Sequence, residues 1–312
     1  MGLIGGAPTA YHRAAAGQPH RILRMASRRS RLALAQLSEV EAAVAKAAPG
    51  IDLLRVLLAV KGDDTTQTLT QGDDIGLFTS ALEAAVTLNQ ADMAVHSLKD
   101  LPTVPAALEI LAILPRSSPW DVLITEPGHD LSALAPGSRV GTSSPRRQGF
   151  LALARPDLQL VEVRGNVDTR LAKLDAQEVD GLVLAEAGLL RLGVTRAWQR
   201  LGPDYLLPAA GQGAIAIQGR SDHPLAAAIR AIDHPPTRAA VQAERSCLQA
   251  LGGGCNLPLG VWAEVDRDHM QVRARLLEDG QVGQASVSGP LTDAQALGER
   301  LAKALRRSLD RG

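Results

Sequence analysis

Chemistry in this chain would have to come from a cysteine on a glycine-rich loop, an acid beside a lysine, and arginines that follow apolar runs. The stretch LGGGCNLPLG, residues 251–260, sets Cys255 behind three glycines. Glycines lower the steric barrier around the sulfur, so a bulky group could approach it or be attached to it. A free thiol in a turn fits the same stretch. In VGTSSPRRQ, residues 140–148, three N-capping candidates, Thr142, Ser143 and Ser144, precede Pro145 and the pair Arg146 and Arg147. Free amides at a helix start, with hydroxyls and two guanidinium groups, suit a carboxylate or phosphate. An ordinary capped helix with solvated arginines fits equally well.

VRGNVDTR, residues 163–170, repeats the arrangement with Arg164, a Gly-Asn turn and Arg170 on the first helical turn. Arg28 likewise follows the first apolar run. If these loops share one sheet edge, their guanidinium groups converge, and a polycarboxylate is the ligand their N–H forks match. AVHSLKDLP, residues 94–102, adds His96, Ser97, Lys99 and Asp100 at the end of a buried strand. Within a cleft of cations, Asp100 would be an ionised carboxylate able to stabilise a cationic intermediate or accept N–H donors. A solvated Lys-Asp turn pair is the plainer alternative. His96 reads as structural, and Cys247, inside the helical pattern AERSCLQAL, as a small buried hydrophobe.

The elements that must position these residues alternate. Residues 21–27 read as a buried strand and 30–48 as a helix ended by Pro49-Gly50. A strand over 51–60, an aperiodic polar loop over 61–74, a helix over 77–89 and strands over 91–97 and 108–115 follow. PRSSP, 115–119, reads as a crossing point into a second series: strands over 121–125, 138–143, 158–164 and 181–187, with helices over 145–155 and 167–177. PAAGQG, 208–213, leads into a strand over 214–220. Pro235-Pro236 then separates a last part with a helix over 237–251, strands near 259–265, 270–278 and 284–288, and a helix over 292–309. The expected class is α/β, two doubly wound, mostly parallel domains with a small α+β C-terminal domain.

Composition narrows the function. At 312 residues and 46% hydrophobic, the chain can bury a large core split into two or three domains. Lys+Arg and Asp+Glu both number 33, so no global charge calls for nucleic acid or an acidic membrane, and any anion site is local. Aromatics at 2% are too few for a single-strand stacking platform. Two cysteines without CxxC or Cys/His spacing indicate no disulfide framework and no metal, which suits a reducing cytosol. No stretch reaches the ~18 apolar residues of a membrane span, and residues 1–20 read as a frayed extension.

Six blocks, RMASRRSRLALAQ, GLFTSALEAAVTLNQADMAVHSLKDLPT, VGTSSPRRQ, VRGNVDTRLAKLD, PAAGQGAIAIQ and AERSCLQALGGGCNLPLG, occur in order from about residue 21 onward. Together they resemble the successive signatures of the porphobilinogen deaminase (hydroxymethylbilane synthase) family. The resemblance implies two domains like those of periplasmic binding proteins, with the active cleft between them, and a third bearing the cysteine. Its expected boundaries are 21–115 with 210–233, 116–209 and 234–312. It implies a transferase, monomeric and cytoplasmic, that adds four porphobilinogen units head to tail, with loss of ammonia, to a dipyrromethane primer held on Cys255 by a thioether. Arg28, Arg146, Arg147, Arg164, Arg170, Arg191 and Lys99 would then meet the acetate and propionate arms, with hydroxyls from Ser30, Ser97, Thr142, Ser143 and Ser144. Asp100 matches the carboxylate that holds pyrrole N–H groups and steadies an azafulvene-like cation. Phe78 matches a ring that packs near the cofactor, and Gln212 is a contact in the GQG hinge.

The chain departs from the family where lysines are usual: Gln71 and Ile75 stand there, beside Asp73 and Asp74. The loop is therefore expected to act as a cover of altered charge, or to hold its acids outward. Pro145 replaces a common leucine, and Gly252 or Gly253 a common acid. The rivals are a two-domain binder of an anionic small molecule, which would need neither Asp100 nor Cys255, and an inactive family member.

Overall fold

The computed structural model describes residues 21–59, 77–104, 107–126, 128–254 and 257–310. Its first lobe is built on strands β1 (Arg21–Arg28), β2 (Ile51–Leu58), β3 (Met93–Ser97), β4 (Glu109–Ile113) and a late strand, β10 (Ile215–Gly219), in the order β2-β1-β3-β10-β4. The second is built on β5 (Asp121–Thr125), β6 (Arg139–Gly141), β7 (Gln159–Val161), β8 (Gly181–Ala185) and β9 (Gln199–Leu201), in the order β7-β6-β8-β5-β9. The two orders are the same. In each sheet four of the five strands run in one direction, and the fifth, β10 or β5, arrives from the other lobe and pairs antiparallel with both neighbours. The sheets are therefore mostly parallel, as the alternation of elements indicates, with one reversed strand in each because the chain crosses between lobes twice.

Helices cover both sheet faces. On the first, α1 (Arg31–Ala47) and α6 (Ala226–Arg230) seal one side through Leu37, Val40 and Ile229 over Leu23, Met25 and Ile215, while α2 (Leu77–Thr87) closes the other with Leu82 and Val86 over Ala26 and Ala94. On the second, α3 (Pro145–Ala154) packs Phe150 and Leu151 over Val140 and Val183; α4 (Val167–Asp175) and α5 (Glu186–Arg191) cover Val122, Ile124 and Leu182. Double coverage explains why β5 and β10 are buried at every position.

A third unit has an antiparallel sheet of β11 (Leu259–Asp266), β12 (His269–Glu278) and β13 (Gln281–Pro290) under α7 (Pro235–Ala250) and α8 (Ala294–Leu309). Pro235 and Pro236, read from sequence as a separator, lie inside the first turn of α7, where a missing N–H has no partner to lose; the His234 side chain caps that turn by accepting from the Thr237 amide. Three short elements, α5, β9 and α6, have too few residues to show a period. The strands expected over 138–143 and 158–164 are only three residues each, since Thr142 to Ser144 and the turn after Glu162 lead into helix caps. Among the described residues, no helix is long and apolar enough to cross a membrane.

Candidate active site

The carboxyl ends of the parallel strands carry most of the residues singled out from sequence. Arg28 ends β1, half-buried, and Ser30 caps α1 by accepting from the Ala33 amide (3.3 Å). Ser97 ends β3 and accepts from Gln36 Nε2 (2.8 Å); a single 3₁₀ turn, Leu98–Asp100, then presents a half-buried Lys99 and an exposed Asp100. In the second lobe β6 leads through Thr142 and Ser143 to Ser144, whose hydroxyl caps α3 by accepting from the Arg147 amide (3.5 Å). The loop after β7 turns at Gly165 (φ +114°) into α4, where Asn166 accepts from the Thr169 amide (2.9 Å) and Arg170 Nε donates to the Gly165 carbonyl (2.8 Å).

These ends meet. Lys99 of the first lobe feels Asp100, Arg147, Asp121 and Arg146, and Arg170 of the second feels Arg147 and Asp100. Burial is the largest influence on both and disfavours their charge: Lys99 is lowered to about 8 and Arg170 to about 10, with Arg147 lowering each further and Asp100 opposing. Gln212, on the second crossing, links the lobes. It accepts from Lys99 Nζ (3.3 Å) and donates to the Pro119 carbonyl (2.7 Å) and to Asp121 Oδ1 (3.0 Å).

Arg146 and Arg147 are placed differently from the open donors the sequence suggests. Both are buried, and both already hold a carboxylate. Arg146 Nη1 donates to Asp121 Oδ2 (2.7 Å) and to the Leu207 carbonyl (2.6 Å); Arg147 donates to Asp121 Oδ1 through Nε (2.9 Å) and Nη2 (2.6 Å), and to the Val183 carbonyl (2.8 Å). Burial alone would protonate Asp121, but the two guanidinium charges outweigh it and hold the carboxyl well below the usual range. Thr142 is buried too, its hydroxyl accepting from the Ser144 amide (3.3 Å).

Two expected arginines stand outside this cluster. Arg164 is exposed and pairs with Glu162 (2.8 Å), and Arg191 pairs with Glu39 of α1 (2.7 Å). Phe78 lies in the first turn of α2, but its side chain is outside the description. Cys255 lies outside the described residues, as do Gln71, Asp73, Asp74 and Ile75. His96 is buried and lowered to about 4, chiefly by burial, which fits a structural role; Cys247 is buried and raised to about 12.

Sequence reasoning missed the acids. Asp121 opens a strand that is otherwise wholly apolar, DVLIT, and a buried acid in such a run is the signal that a cation must meet it. Glu244, wholly buried on α7, also went unnoticed. It accepts from Arg116 through both η nitrogens (2.6 and 3.1 Å), from the Gly211 amide (2.8 Å) and from the Ala263 amide (2.9 Å). One carboxylate thereby joins both crossings to β11 and to the helix that runs toward residue 255.

Two α/β lobes whose strand ends gather cations around carboxylates, with a third unit bolted to their crossings, define a two-lobed α/β protein with a charged centre. Residues 23–228 match the family model of the porphobilinogen deaminase dipyromethane cofactor binding domain, and residues 238–307 match that of the porphobilinogen deaminase C-terminal domain; the chain belongs to the porphobilinogen deaminase family. The porphobilinogen deaminase of Moorella thermoacetica is 43% identical over 289 residues, 91% of this chain and 92% of that one. That of Desulforudis audaxviator is 44% identical over 282 residues, 88% and 91%. Among solved structures, the probable amino-acid ABC transporter extracellular-binding protein ytmK of Bacillus subtilis has 8% identity and a TM-score of 0.41, covering 68% of this chain and 89% of that one.

Proposed function

We propose that the chain is a transferase that condenses four porphobilinogen molecules head to tail, releasing ammonia, onto a dipyrromethane primer carried by Cys255. The observation that carries the reading is the charge balance where the lobes meet. Four cations, Lys99, Arg146, Arg147 and Arg170, face two carboxylates, Asp100 and Asp121, and Asp121 is already spent on two of the arginines. The surplus fits a bound group that brings its own carboxylates, as a dipyrromethane with acetate and propionate arms does.

The primer, when bound, would supply the free pyrrole carbon at which the chain of rings starts, each later unit joining the ring added before it. The rest is the work of this chain's side chains. Lys99 and Arg170 take carboxylate arms from opposite lobes, with Ser143 adding a hydroxyl donor, while Arg146 and Arg147, fixed on Asp121, shape the floor. Their partly desolvated charges act at higher strength than in water. Asp100, exposed between Lys99 and Arg170, accepts pyrrole N–H groups and stabilises the positive charge that develops as ammonia leaves. Gln212 couples that floor to the crossing on which the lobes turn, and Arg28, Arg164 and Arg191 offer further cations as the chain of rings lengthens.

The direct test is the intact mass of the purified protein before and after incubation with porphobilinogen. A mass above the sequence value by two pyrrole units, mapped to the Cys255 peptide and growing by further units with substrate, is the expected result. Cys255→Ser should stay at the sequence mass and fail to start chains. An unmodified wild-type mass that does not change with substrate overturns the reading in favour of an inactive family member or a binding protein. The same reading makes the chain a cytosolic monomer, which sedimentation of the loaded enzyme tests.

A further inference from the structure

Helix α1 bridges the lobes. Its inner side packs Leu37, Val40 and Val44 on the first sheet, and its outer side meets the second lobe. Arg31 donates to Asp168 of α4 (2.6 Å), Leu32 lies beside Gly188 at 3.6 Å from where a Cβ would stand, and Glu39 accepts from Arg191 of α5 (2.7 Å). The outer pair is weak by its setting, since the Arg31 and Asp168 side chains are 67% and 40% exposed.

The inner pair is different. The Arg191 side chain is only 6% exposed, and its Nε and Nη2 reach the two carboxylate oxygens of Glu39 at 2.7 and 3.5 Å, while Nη2 also donates to the Gly213 carbonyl at 3.1 Å. That edge of the fork is thus filled by a carboxylate from the opposite lobe, in the geometry an acetate or propionate arm would use. Glu39 itself is 42% exposed, so its own carboxylate is readily solvated when another carboxylate takes its place on Arg191.

We infer that Glu39 is an internal stand-in for a substrate carboxylate. It occupies Arg191 while the lobes are closed and is displaced by a carboxylate arm as the chain of rings grows, an inference that rests on Arg191 being a substrate contact. Exchanging one carboxylate for another keeps Arg191 paired throughout, which avoids the large penalty of a buried cation left alone. The exchange also removes the ion pair between α1 and α5. Substrate capture and release of the lobes become one event, and Glu39 is a positioning residue that sets the affinity at which it happens.

The test is a cycle of Glu39→Gln, Arg191→Gln and the double variant, assayed with porphobilinogen at fixed ionic strength using the primer-loaded enzyme. Glu39→Gln should lower KM by roughly two- to fivefold, the scale of a partly exposed ion pair, with kcat within about twofold of wild type. In the Arg191→Gln background the same change should do nothing, and Glu39→Asp should restore most of the wild-type KM. Small-angle scattering of the Glu39→Gln enzyme without substrate should show a larger radius of gyration than wild type. An unchanged or raised KM for Glu39→Gln, with Arg191→Gln clearly impaired, overturns the inference and leaves Arg191 as a substrate contact. Unchanged KM in both single variants overturns that contact and the inference with it.

Discussion

Replacing Asp121 by Asn tests whether one buried carboxylate organises the centre of the site. The side chain is wholly buried and accepts from Arg146, Arg147 and Gln212, and both arginines are nine-tenths buried or more. Asn keeps the volume and one oxygen, but it turns the other into a donor that must face a guanidinium N–H, and it removes the countercharge of two buried cations. Breaking a buried pair from one side costs about 3–5 kcal/mol. At about 2–4 °C per kcal/mol for a cooperative unit of 150–250 residues, the melting temperature should fall by roughly 6–20 °C. Thermal or urea unfolding at pH 7 measures it. Acid supplies an internal control. Because the folded value of Asp121 is depressed, its stabilisation is present above the ordinary carboxylate range near ~4 and is lost as pH falls toward the folded value. The gap between wild type and Asp121→Asn should therefore narrow below about pH 4. A variant within about 1 kcal/mol of wild type at pH 7, or a gap that does not change with acid, refutes the argument, since an unpaired buried cation cannot be that cheap.

Other outcomes follow from the same geometry. Lys99 is held at about 8, below its ordinary 10.5, so it is charged at neutral pH and loses its proton as pH rises through about 8. If it holds carboxylates of free substrate, kcat/KM should fall by up to about tenfold per pH unit above that point, and Lys99→Arg should flatten the limb. The same shift means that ionised Lys99 costs stability below about 8, a cost that fades as pH rises toward 10.5. Asp100→Ala should melt with the wild type, because the side chain is exposed, yet lose about 10²–10³ in kcat as judged by single-turnover chain growth. Gly213→Ala should be destabilised and slow: with φ at +88°, a Cβ would stand 2.6 and 2.7 Å from the Ser118 and Ser117 carbonyl oxygens, jamming the two crossings where they touch. Wild-type melting and turnover in that variant would show that the crossings do not need this contact.

Local chemistry by itself determined much of this protein. Periodicity located the long elements, because a helix such as Arg31–Ala47 repeats its apolar side chains often enough to be seen, and Ser30, Ser144 and Asn166 announce helix starts through hydroxyl and amide oxygens that accept the first orphan amides. Residue type at strand ends gave the cations and Asp100. Only the tertiary structure decided which of those cations are already spoken for. The partners are far along the chain: Asp121 lies 25 and 26 residues from Arg146 and Arg147, and Glu39 lies 152 residues from Arg191. An arginine reads the same in sequence whether it faces water, a ligand or a buried acid, since its type states a charge and not the place of its countercharge. The folded chain settles that by bringing β5 beneath α3 and α1 against α5, and it decides by the same means that one acid, Glu244, holds both crossings and the third unit together.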